Sequence, residues 1–325
     1  MVRQFHILTD AADFSDGWMA RNANRVTVIP DHVLIDGMDL SVEGTSDGRR
    51  KLPPADKFYE WQSFYMKQGK RFTTSAPSVV EIMDEMRPWL KRGQDVLYLT
   101  MCANLSNATA NNGRLACLEL TDELDLDEEG APQALCLDSM CISMGLGYLV
   151  QLVLENCQTV TEAVSYVKQM RARIAHPFSV AEFKYLKAGG RIGRVAGTLA
   201  GMMKLRPFMD FEFREDGKRT LDAVGQNKRN LLIRNEGDLI QRFIQQTRQQ
   251  ISPEADRLII VYGDCFEWAK NLAYELAVAF PHIVPELENR VGPTIGVHTG
   301  PNILSFFYIR EDDPRRFIDT DLDWV

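Results

Sequence analysis

The chain has 325 residues, long for one hydrophobic core, so two domains are expected. Its 37 Lys and Arg against 45 Asp and Glu leave a net charge of −8, which argues against general binding to nucleic acid or anionic membranes. Usage is ordinary for a globular protein at 45% hydrophobic and 25% charged, and no apolar run reaches the about 18 residues of a membrane helix. The opening Met1-Val2-Arg3-Gln4-Phe5-His6 has no apolar signal core, and Cys102, Cys117, Cys136, Cys141, Cys157 and Cys265 form no CxxC pair. Reduced, buried thiols in a cytoplasmic protein fit this usage better than disulfides or zinc.

In chain order, FHILTD (Phe5–Asp10), VTVIP (Val26–Pro30), DVLYLT (Asp95–Thr100) and ALCLD (Ala134–Asp138) are predicted strands. The last two are nearly continuous in apolar residues, as central parallel strands are. Helices fill the gaps. Ser78 with Glu81 makes a capping box, followed by Val80, Met83 and Met86 at helical spacing, and a further helix is expected from about Ser143 to Cys157. The alternation implies a mainly parallel sheet covered by helices.

The second half changes character. RPFMDFEFREDGKRTLDAVG alternates like a strand and turns at Asp216-Gly217, the signature of a hairpin. Asn230 to Gln249 reads as helix, RLIIVYG as a buried strand, and Trp268, Leu272, Leu276 and Phe280 as one helix face. PTIGVHTG and ILSFFYIR read as two more strands. The fold class expected is therefore α/β, with domains over 1–160 and 161–325.

Two segments are expected to be solvated connections. Gly44 to Pro54 carries the Arg49-Arg50-Lys51 run, and Asp125 to Gly130 starts like a calcium loop but has Cys136 where the bidentate acid belongs. No metal site is expected.

Four segments invite a ligand. Thr73, Thr74 and Ser75 precede the helix capped by Ser78, a place for an anion, though such hydroxyls also simply satisfy local backbone groups. Ser106 lies in TMCANLSNATANNG, which leaves the C-terminal end of a predicted central strand, where open α/β sheets bind ligands. LKAGGRIGR presents Arg191 after a double glycine, and IGVHTGP places His298 between glycines. A histidine there is either structural or, with arginine and hydroxyls, part of a carboxylate clamp. No G-x-S-x-G elbow supports a hydrolase, and GGRIGR lacks the ending of a phosphate-binding loop.

The sequence resembles the DegV family of fatty-acid-binding proteins, the substrate subunits of bacterial fatty-acid kinase. The motifs that carry the resemblance are LTDAADF, TTSAPS, NLSNA, LDSMCISMGLG, YLKAGGRIG and IGVHTGPN, in order along almost the whole chain. The resemblance implies an N-terminal α/β domain and a smaller α+β C-terminal domain with a long-chain fatty acid between them. It implies that Thr74, Ser106, Arg191 and His298 hold the carboxylate, with Ser75 as a secondary candidate, while the acyl tail enters an apolar tunnel. It implies no catalysis and no cofactor in this chain: a separate ATP-dependent kinase subunit phosphorylates the bound carboxylate. A lipid sensor or carrier without a kinase is the alternative. The expected partners are the fatty acid and that kinase, with transient membrane-surface contact and no nucleic acid. Lys184, Lys187 and Arg194 offer a basic patch that either docks the kinase or is a solvated face. The chain departs from the family pattern at Ala76, Asn107 and Ala108, which alters the head-group surroundings.

Overall fold

The computed structural model describes residues 3–40, 52–190, 206–213, 219–223, 233 and 235–311. In chain order the elements are β1 (Phe5–Asp10), α1 (Asp16–Asn22), β2 (Val26–Ile29), β3 (His32–Ile35), β4 (Met38–Asp39), α2 (Ala55–Lys67), β5 (Phe72–Ser75) and α3 (Val79–Leu90). There follow β6 (Asp95–Thr100), α4 (Asn107–Glu123), β7 (Ala134–Asp138), α5 (Ser143–Asn156), α6 (Val160–Met170), β8 (Ile174–Ala175), β9 (Phe178–Ser179) and α7 (Phe183–Ala188). The remainder are β10 (Phe208–Phe213), β11 (Arg219–Ala223), α8 (Glu236–Gln250), β12 (Arg257–Tyr262), α9 (Phe266–Ala279), β13 (Val284–Arg290), α10 (Pro293–Thr299) and β14 (Leu304–Ile309).

Two compact units divide the chain, the first containing Met1–Asp31 and Ser75–Ala172, the second His32–Thr74 and Arg173–Phe317. Residues 32–74 thus group with the second unit, an excursion that a single boundary near residue 160 does not contain.

In the first unit the predicted strands pair in the order β2-β1-β6-β7, every pair parallel. Every residue of β1 and β6 is buried, which is why their sequences carry no polar alternation. The capping box forms: Ser78 Oγ accepts from the Glu81 backbone N–H at 3.2 Å and Glu81 Oε2 accepts from that of Ser78 at 2.8 Å. Of the expected apolar residues of α3, Met86 is buried and Met83 packs against the core, but Val80 does not. Ile82, Met86 and Leu90, spaced by four, enter the core, while Val80 is 63% exposed. Gly113 lets α4 lie close to the sheet, since a Cβ there would fall inside 3.0 Å of Tyr98 and Cys136.

The second unit holds a sheet ordered β11-β10-β9-β14-β12-β13, with β8 also on β14, and a three-stranded sheet β4-β3-β5. β10 and β11 form the expected antiparallel pair, with the Asp216-Gly217 turn outside the described residues. Asn235 is the N-cap of α8, its side chain accepting from the Asp238 N–H at 2.9 Å, and residues 230–232 and 234 of the expected helix lie outside the described residues. Phe243, Leu258, Ile260, Leu272, Leu276 and Phe306 form its main core. One expectation is overturned: PTIGVHTG is not a strand but the helix α10. Gly292 precedes it, Pro293 opens its first turn and Gly300 follows at φ 76, the punctuation that starts and stops a helix.

Candidate ligand-binding site

Thr73, Thr74 and Ser75 lie in strand β5 rather than in a turn, and Thr74 is half-buried. Its Oγ1 stands 2.8 Å from His298 Nε2, a hydrogen bond between residues 224 positions apart in sequence. His298 presents this nitrogen from the last turn of α10 rather than from a strand end.

Two glycines fit this helix to α7. Gly189, the C-cap of α7, passes so close to the imidazole that a Cβ would fall inside 3.0 Å of His298 Nδ1. Gly300 receives the Tyr185 ring, which a Cβ would overlap at three ring atoms, and its φ of 76 already favours glycine. The double-glycine segment and the histidine segment, separate motifs in sequence, are thus packed together. A small apolar cluster of Val33, Ile35, Phe58, Tyr59, Phe72 and Val297 ties β3, α2, β5 and α10 into one body.

The other expected site residues divide. Ser75 is exposed at the end of β5. Ser106 belongs to the first unit, where it is the N-cap of α4 without capping through its side chain; its Oγ shares a 2.7 Å hydrogen bond with Thr109 Oγ1. Arg191 and Arg194 lie outside the described residues. Of the basic patch, Lys184 pairs with Glu182 at 2.5 Å and stands 4.9 Å over the Tyr185 ring, while Lys187 is exposed.

Sequence reasoning passed over a buried carboxylate network at the C-terminal ends of the first unit's strands. Asp10, at the end of β1, accepts from Tyr98 Oη at 2.9 Å and from the Met101 N–H at 3.0 Å. Asp138, at the end of β7, accepts from the Ala103 and Met140 N–H groups at 3.2 and 2.8 Å. Burial, and then the nearby charge of Asp31, raise the Asp10 pKa well above the ordinary carboxylate range, against the pull of its two hydrogen bonds. The signal available in sequence was the placement of both aspartates at the ends of apolar strands. Ala11 and Met140, each just beyond one of these strands, have φ of 36 and 54.

All six cysteines are free and buried, as expected. Burial pushes the Cys117 thiol up to about 12, which leaves it neutral and inert at physiological pH. Among the described residues no group of three or more His, Cys, Asp or Glu is placed to hold a metal ion, and no helix is long and apolar enough to cross a membrane.

These features define an α/β protein of two units with a parallel sheet in the first, a mixed sheet in the second, and a hydroxyl–imidazole pair whose ring packs closely on Gly189. The chain belongs to the DegV family, whose family model, described as "Uncharacterised protein, DegV family", matches residues 4–311. A DegV domain-containing protein of Clostridium perfringens is 24% identical over 254 residues, 76% of this chain and 81% of its own. One from Staphylococcus aureus is 24% identical over 317 residues, 96% of this chain and all of its own. Among solved structures, a fatty-acid-binding DegV family protein from Thermus thermophilus superposes with a TM-score of 0.76 at 22% identity, covering 95% of this chain and 100% of that one. A stearic-acid-binding protein from Eubacterium ventriosum gives 0.73 at 22% identity, over 94% and 98%. The Streptococcus pneumoniae Fatty Acid Kinase (Fak) B3 protein loaded with linoleic acid gives 0.69 at 14% identity, over 95% and 100%.

Proposed function

We propose that this protein binds a long-chain fatty acid and presents its carboxylate to a separate ATP-dependent kinase that forms the acyl-phosphate. The observation that carries the reading is the 2.8 Å bond between Thr74 and His298. With the hydrogen on Nε2 the ring donates to Thr74 Oγ1, and the threonine O–H is then left to donate to a carboxylate oxygen. Ser106, Ser75 and Arg191 are the further candidate head-group contacts, and an arginine suits a carboxylate because its planar fork can donate twice. The tail supplies most of the affinity: at ~0.8 kcal/mol per methylene, a long chain has an upper limit on the order of 10 kcal/mol before association costs. The carboxylate is costly to dehydrate unless paired, so the polar residues decide orientation and retention. Fatty-acid-binding relatives of the same fold support the ligand class.

The test is displacement of a fluorescent fatty acid by palmitate. Thr74→Val and His298→Ala should each weaken palmitate binding roughly tenfold, the loss of a hydrogen bond to a charged group. Unchanged affinity in both would remove these residues from the head-group site. Adding ATP and the catalytic subunit of a fatty-acid kinase to the loaded protein should yield acyl-phosphate; a loaded protein that no such kinase accepts would be a carrier or sensor.

A further inference from the structure

We infer that Gln62, on α2, is a positioning residue for His298: it holds the C-terminal turn of α10 so that the imidazole meets Thr74. The inference concerns the proposed head-group site and takes its functional meaning from that reading. α10 has seven residues, and the last carbonyls of any helix lack partners within it. Gly296 O accepts from the Gly300 N–H at 2.8 Å. Gln62 Nε2 donates to the same oxygen at 3.0 Å and reaches Val297 O at 3.4 Å, on the residue directly before His298.

Packing alone does not call for an amide at Gln62. It is fully buried, and among the described residues its Oε1 has no hydrogen-bond partner. A methionine would fill the same space without an unmet acceptor, so what the amide offers at this position is its donor group. The rest of α2 acts in the same sense. Tyr59 Oη donates to Val291 O at 2.9 Å, fixing the chain where it enters α10. The Phe58 and Tyr59 rings close on Gly296, where a Cβ would fall within about 3.0 Å of both. α2 therefore grips α10 at its entry, its middle and its final turn. The same 32–74 segment carries Thr74, so one stretch of chain supplies the hydroxyl and aims the ring that bonds it.

The test uses Gln62→Met in the full chain with two readouts. The first is the ring-nitrogen NMR signature of His298, assigned among the five histidines by its disappearance in His298→Asn. The second is palmitate affinity. Gln62→Met should shift the His298 ring signals in the ligand-free protein, and weaken palmitate binding about fivefold, the scale of one net hydrogen bond. Weaker binding with unchanged His298 signals would make Gln62 merely structural and overturn the inference, as would no change in either. Should Gln62→Met fail to fold, Gln62→Asn, which withdraws the amide by one methylene, is read by the same two signals. If the wild type binds no palmitate, the fatty-acid reading fails by itself, while the ligand-free spectra still decide whether Gln62 positions His298.

Discussion

Replacing Gly189 by alanine should destabilise the protein while His298 is present and stabilise it once His298 is alanine. Gly189 has φ −78 and ψ −7, helical geometry that alanine adopts without strain. Without an obstruction the exchange gains about 0.5–1 kcal/mol, because alanine has less backbone freedom to lose on folding. His298 is the obstruction, with Nδ1 inside 3.0 Å of the new Cβ and Cε1 and Cγ at 3.0 and 3.1 Å. Restoring ordinary contact must displace the ring whose Nε2 lies 2.8 Å from Thr74 Oγ1, which disturbs that hydrogen bond. Overpacking of this kind costs about 1–3 kcal/mol, which outweighs the backbone gain. Urea unfolding of the wild type, Gly189→Ala, His298→Ala and the double variant should therefore show a change of sign and a coupling of about 2 kcal/mol. An effect of equal sign and size in both backgrounds would refute the close packing of Gly189 on His298.

Other expectations concern charge. Because burial raises the Asp10 pKa in the folded state, its contribution to stability is complete below the unfolded value of about 4 and fades as pH rises through the native value. Asp10→Asn should thus cost most stability at low pH, and the cost should shrink as pH rises in urea titrations; a cost independent of pH would contradict the raised pKa. Glu162, whose carboxylate accepts from the Gln158 and Thr159 N–H groups, has a lowered pKa, so its contribution is present above about pH 4.5 and lost on acidification. Glu162→Gln should flatten that acid limb, and an unaltered acid limb would refute it. Arg191→Ala should reduce fatty-acid retention more than it lowers Tm; equal loss of folding would make Arg191 structural.

What was legible in the sequence follows the physics of each element. β1 and β6 are buried runs, and β7 is buried from Cys136 to Asp138, each with an apolar sequence that composition alone delimits. α3 was marked by a local capping box, but its buried face only in part, because tertiary packing chose Ile82 and Leu90 over Val80. PTIGVHTG reads as a strand, although the Pro293 and Gly300 punctuation in the same segment points to the helix α10. Of the candidate site, the hydroxyl and histidine segments were visible as motifs, while their pairing was not, since nothing local joins Thr74 to His298. Gln62 was invisible for the same reason: its meaning lies in carbonyls 234 and 235 positions away.

The most direct measurement is mass spectrometry of organic extracts from the purified protein, wild type beside a Thr74→Val/His298→Ala variant. A stoichiometric long-chain fatty acid in the wild type, depleted in the variant, is the expected result. A wild type that is empty and takes up no added palmitate, or a variant that retains the same fatty acid in full, would contradict the proposed site.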